Sequence, residues 1–145
     1  MRRPVILALS LVLVASGAAG AGVAAAGAST AAPAAKPKAT VSIVSSSKCK
    51  PVSTFCYKPA KLKVARGTKV TFVNKTLTTH TITRCSTASC AGHDGGTGTD
   101  TEFGSGSVPA NGKYSFVFNG KGTYVYFCAI HGYGAMHGQV TVNLN

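Results

Sequence analysis

The chain has 145 residues, enough for one domain and short of two, with 15 Lys and Arg against three Asp and Glu for a formal net charge of +12. The basic residues are scattered over short alternating segments and form no cluster interleaved with exposed aromatics, which argues against nucleic acid as a partner. A basic surface of this kind favours an acidic protein partner and steers association with one.

Met1-Arg2-Arg3 is a short basic start, and Val5 to Ala15 is an apolar run of the length of a signal h-region. Small residues follow, with Ala-x-Ala sites ending at Ala21, Ala26 or Ala28. The expectation is a secretory signal peptide over residues 1–28. A retained anchor is the competing reading, because Ala and Gly extend the apolar stretch to about 20 residues, long enough to span a bilayer. Its weakly hydrophobic tail and missing basic stop count against the anchor, so no span is expected after cleavage. Residues 29–39 are Ala, Pro, Lys, Ser and Thr, too poor in apolar surface to offset backbone ordering, and read as a flexible linker. The folded domain is expected over residues 40–145, in a secreted, periplasmic or otherwise extracytoplasmic location, free or associated with the cell surface.

Within that domain the dominant period is two. Val41 and Ile43 alternate with Ser and Thr, and Leu62 and Val64 alternate with Lys. A turn at Arg66-Gly67 leads to Val70 and Phe72; later come Tyr114, Phe116 and Phe118, then Tyr124, Tyr126 and Cys128, then Val140, Val142 and Leu144. Short runs bounded by Gly, Pro or Asn read as half-buried antiparallel strands, and many of them imply an all-β sandwich or barrel. The Gly-, Ser- and Thr-rich segment from Ala91 to Asn111 is expected to be a long surface loop.

Five cysteines remain, at positions 49, 56, 85, 90 and 128, so four can pair and one is left over. Cys49 with Cys56 and Cys85 with Cys90 is the simplest of the three connectivities that four cysteines allow. Cys128 ends a strand on the face of Tyr124 and Tyr126, which points it inward. A free buried Cys is ordinarily a small core residue. Here His131 and Met136 follow on one short Gly-containing loop, so a thiolate, an imidazole and a thioether fall around a point. Soft sulfur ligands with imidazole suit copper, and a site of two His, one Cys and a weak axial Met is a blue-copper site. His80, where the chain re-enters structure after the polar segment Lys75 to Thr79, is the second imidazole that such a site needs.

On these residues the sequence resembles the cupredoxin family, the plastocyanin-, pseudoazurin- and amicyanin-like small blue copper proteins. The resemblance rests on Pro59 to Asn74, on Asn74 followed by His80, on Phe103 to Phe118 with Val108-Pro109-Ala110, and on Gly122 to His131 with Met136 to Val142. Two residues between Cys128 and His131 and four between His131 and Met136 match the plastocyanin and pseudoazurin type. The resemblance implies a Greek-key β-sandwich and one type 1 copper. Cys128 would be the short thiolate ligand, His80 and His131 the equatorial imidazoles, and Met136 the long axial contact. It also implies a protein that carries single electrons between redox partner proteins through His131 and a small apolar rim from Gly132 to Ala135; the basic surface leads us to expect an acidic docking surface on those partners, and a monomer is expected. Three features depart from the pattern: the two additional cysteine pairs, the length of the segment from Cys85 to Gly112, and Thr81 after His80.

Other readings remain in view. A copper chaperone or store would use the same ligands but expose them. A multicopper oxidase or nitrite reductase needs histidines for a second centre, and only His93 and His137 are left, so no catalysis is expected within the chain. Cys85, Cys90 and His93 have loosely zinc-like spacing. An immunoglobulin-like adhesion domain would share the fold but not the site.

Overall fold

The alternation read from the sequence builds two facing sheets. A computed structural model describes residues 35–49 and 54–144, all within a unit that spans Ala34–Asn145. The expected signal peptide, and the linker up to residue 34, lie outside the described residues. One sheet consists of β1 (Lys38–Ser45), β2 (Phe55–Lys58), β4 (Thr68–Asn74) and β7 (Lys113–Phe118), in the order β2-β1-β4-β7. The other consists of β3 (Lys61–Ala65), β5 (His80–Arg84), β6 (Gly104–Val108), β8 (Gly122–Phe127) and β9 (His137–Asn143), in the order β3-β9-β8-β5-β6. The non-consecutive neighbours are the crossovers of the Greek-key sandwich. Among the described residues the sole helical segment is a 3-10 turn at Ser46–Lys48, and no helix is long and apolar enough to cross a membrane.

Three details differ from the expectation. β1 opens at Lys38, two residues before Thr40. Two pairings, β1 with β4 and β3 with β9, are parallel, because the connections that join these strands pass through the opposite sheet. The segment from Ala91 to Asn111 contains a strand, β6, which pairs with β5 at the sheet edge. Its sequence Gly-Ser-Gly-Ser-Val has no apolar alternation, since an edge strand needs few side chains to hold its ladder.

The core is the space between the sheets. Val41, Ile43, Tyr57, Val70, Phe72 and Phe118 face Ile82, Tyr124, Tyr126, Val140 and Val142, all at most 1% exposed. Tyr126 is met edge-on by Tyr57 and Phe72, with centroids at 4.8 and 5.3 Å, the geometry aromatic quadrupoles prefer. A two-residue link, Arg66-Gly67, steps from one sheet to the other. Arg66 N–H donates to Asn143 O at 3.1 Å and Gly67 N–H to Phe118 O at 2.7 Å, and Gly67 takes φ +79°, which glycine adopts without a Cβ penalty. Both expected disulfides are present, Cys49–Cys56 and Cys85–Cys90. Cys128 is free and buried.

Candidate metal centre

His80 is the first residue of β5, and the polar turn before it is built by Asn74, the last residue of β4. The Asn74 side chain donates to Thr78 O, Val108 O and Pro109 O at 2.7, 3.1 and 2.9 Å. It accepts from Thr76 N–H and Thr76 Oγ1 at 3.0 and 2.8 Å. With its proton committed to Asn74, the Thr76 hydroxyl is an acceptor for His80 Nε2 at 3.0 Å, and Thr78 Oγ1 lies 3.1 Å from the same nitrogen. The network therefore places the His80 proton on Nε2 and leaves the Nδ1 lone pair free, the tautomer a metal ligand requires.

That Nδ1 lies 3.8 Å from Cys128 Sγ, and the Nδ1 of His131 lies 3.2 Å from the same sulfur. The ligand atoms of His80, Cys128 and His131 lie within 4.8 Å of one another, and the described residues contain no other such group of three His, Cys, Asp or Glu. Cys128 directly follows β8, and its loop is folded by short-range bonds. His131 N–H and Gly132 N–H donate to Cys128 O at 3.2 and 2.9 Å, and Met136 N–H donates to Gly132 O at 3.1 Å. Cys128 N–H then donates to Met136 O at 3.0 Å, which closes the loop and sets Met136 opposite Cys128. Met136 is 1% exposed and packs in the core cluster that contains Cys128.

Thr81 joins the two halves of the site. Its N–H points at Cys128 Sγ at 3.4 Å, its hydroxyl accepts from Ala129 N–H at 2.8 Å, and its carbonyl accepts from the Tyr57 hydroxyl. A backbone N–H directed at the sulfur fixes its place relative to β5. Burial first, and then the Tyr57 neighbours Cys128 and Tyr126, push the Tyr57 phenol well above its ordinary range, so it stays a donor. Burial, and secondarily His131, lower the His80 pKa from 6.5 to about 4, which keeps the ring neutral and able to ligate.

The donor set fits copper. Metal bonds of about 2.0 Å to nitrogen and 2.3 Å to sulfur in a trigonal plane space neighbouring donors about 3.7 Å apart, and the observed sulfur–nitrogen distances of 3.2 and 3.8 Å bracket that spacing. Three of the four residues singled out from the sequence, His80, Cys128 and His131, thus converge, and Met136 lies buried in the same core cluster as Cys128. His93 and His137 do not join them: both stack on Tyr133, with centroids at 4.3 Å. Cys85 and Cys90 are bonded to each other, which removes the zinc reading. Sequence reasoning missed Phe55, whose ring lies against both imidazoles, and the Thr76 and Thr78 tether. The Thr-rich run before His80 was the one available signal for the tether.

Comparison with known proteins agrees with this geometry. The family described as copper binding proteins, plastocyanin/azurin family, matches residues 45–143. No curated protein matches the chain in sequence. Among solved structures, a purple cupredoxin from Nitrosopumilus maritimus is 23% identical, with a TM-score of 0.55 over 72% of this chain and 99% of that one. An oxidised amicyanin variant is 23% identical, with a TM-score of 0.51 over 73% and 82%. A copper-containing nitrite reductase from Thermus scotoductus is 23% identical, with a TM-score of 0.55 over 78% of this chain and 25% of that one. At these identities the solved structures speak for the fold alone; the family match covers most of the chain and reaches the ligand loop. The chain belongs to the plastocyanin/azurin family of copper-binding proteins.

Proposed function

We propose that the protein is an extracytoplasmic electron carrier in which His80, Cys128, His131 and Met136 hold one type 1 copper. The observation that carries this reading is the pair of Nδ1 atoms at 3.2 and 3.8 Å from one buried sulfur, inside a hydrogen-bonded frame that is already formed. Copper bound there supplies one-electron exchange between its two oxidation states. The chain's part is to hold the ligands still. Thr76 and Thr78 fix the His80 ring, Thr81 N–H fixes the place of Cys128 Sγ, and the 128–136 loop bonds keep His131 and Met136 in place. A frame that moves little on gain or loss of an electron keeps reorganisation small.

His80 and Cys128 are fully buried while His131 is only half-buried, beside an Ile130 that is 56% exposed. This supports His131 as the route by which electrons leave, across a small docking patch of the kind used in brief encounters. Burial of the sulfur and of His80 speaks against a chaperone, which must offer its ligands to a partner. The excess of Lys and Arg over acidic residues, which outlasts the loss of Arg2 and Arg3 with the signal, supports an acidic redox partner. Two disulfides support export to an oxidising compartment, with residues 1–28 as the signal.

The test is the visible spectrum of the protein after addition of Cu(II) and then ascorbate. The expected result is an intense thiolate-to-copper band that bleaches on reduction and returns on reoxidation, with the copper retained throughout. Cys128→Ser removes the band and keeps the β-sheet circular dichroism. A protein that takes up Cu(II) without the band, or loses its copper on each cycle, refutes the electron-carrier reading.

A further inference from the structure

Both imidazoles of the site come from the β5–β8 sheet and the loop after it, yet the ring that lies against them comes from the opposite sheet. Phe55, the first residue of β2, meets His80 edge-on with centroids at 4.7 Å and 71° between planes. It meets His131 at 5.1 Å and 54°. The two imidazoles are themselves 4.8 Å apart, so the three rings form one cluster beside Cys128 Sγ.

The backbone that carries Phe55 is pinned. Phe55 pairs with Ser45 and Cys56 with Val44 across β1, and Cys56 is also bonded to the buried Cys49. The Phe55 ring packs against the main core cluster as well. An aromatic ring held in this way resists displacement, and attraction between ring edges and faces favours the observed arrangement.

We propose that Phe55 is a positioning residue for the copper site: it clamps His80 and His131 from the far sheet and limits the swing of either ring away from Cys128 Sγ. The inference rests on the copper reading above. For His80 the clamp adds to the tether of Thr76 and Thr78. For His131, whose described polar contacts are confined to its own loop, it is the contact that crosses the sandwich. Loss of Cu(I) needs an imidazole to leave the sulfur's vicinity, so the clamp slows that step. It also fixes the angle between ligands that the spectrum of the oxidised site reports.

The experiment compares the copper-loaded full chain with Phe55→Leu, Phe55→Tyr and Val64→Ala. Val64 is half-buried on β3, packs against the same core and serves as a control for general loosening. Two readouts are taken: the rate of Cu(I) transfer to excess chelator, and the electron paramagnetic resonance spectrum of the Cu(II) form. Phe55→Leu is expected to release Cu(I) about tenfold faster, the size of effect seen when a partner that orients a metal ligand is removed, and to change the resonance spectrum. Phe55→Tyr, which keeps the ring, is expected to stay close to wild type in both. Val64→Ala is expected to lower the thermal midpoint and leave both readouts unchanged. Wild-type release and spectrum in Phe55→Leu overturn the clamp, and so does an equal acceleration in Val64→Ala. If the wild-type chain forms no blue site, the copper reading itself fails, a result distinct from either of these.

Discussion

His80 is fully buried with its Nε2 proton committed to threonine hydroxyls, and this has a measurable consequence in the metal-free protein. Its folded pKa is about 4 against 6.5 in the open chain. As pH falls through 6.5 the unfolded chain takes up the proton first, so stability drops between pH 6.5 and about 4 and falls no further from this group below that. Denaturant titration of the metal-free chain at pH 7.5 and pH 4.5 should show the loss, and His80→Asn should lack this part of it. Only three acidic side chains are present to add an acid-sensitive background. At this scale the candidate ligands were legible because three of them, Cys128, His131 and Met136, fall on one loop. Thr76, Thr78 and Thr81 were not, since a hydroxyl reveals its role only when the fold brings its partner near. Phe55 sits in a segment with no periodic pattern, on a strand only four residues long.

The long connection between β5 and β7 was read as loop because glycine and serine hide strand character, yet it is held tightly. Asp100 accepts from Asn119 N–H, Gly120 N–H and Tyr124 Oη at 3.0, 2.9 and 3.0 Å, and Arg84 donates to Asp100 O and to Gly98 O at 2.5 and 2.6 Å. Gly98 approaches the Tyr124 ring so closely that a Cβ there would sit 2.4 Å from it. Asp100→Ala should therefore cost about 1 kcal/mol of folding stability, through the two amides it leaves without their acceptor, while the Tyr124 hydroxyl keeps Gly120 O. None of these residues touches the ligands, so the blue band should keep its position and intensity. A bleached or shifted band would mean that this connection shapes the copper site. The strands with strong alternation, β1, β3, β4, β7, β8 and β9, were all legible. β2 and β6 were not, each short and without apolar alternation, and β5 showed only as the place where the chain re-enters structure at His80, because its run His80–Arg84 holds a single large apolar residue, Ile82.

Charge is a property of the whole molecule. The three acidic residues, Asp94, Asp100 and Glu102, all lie in one short stretch, against 15 Lys and Arg spread along the chain. Oxidation of the reduced copper protein by hexacyanoferrate(III) should slow by about tenfold between 10 and 200 mM salt, while a cationic cobalt(III) ammine should show the opposite trend. Equal salt dependence for the two would mean that the field at the copper end is not positive. The fold class was open to sequence reasoning because alternation survives at this scale; the parallel pairings were not, since direction depends on which sheet each strand joins. Those pairings also govern when the molecule can form. β9 is hydrogen-bonded between β3 and β8, with Lys61 opposite Gln139. One sheet therefore cannot be completed until residues 137–143 have been synthesised, and closure over such separations is slow. A chain that stops before residue 136 has β3 without its neighbour and lacks Met136 as well. The last strand of one sheet and the last candidate ligand therefore enter the structure together, and the site is complete only when the sandwich is.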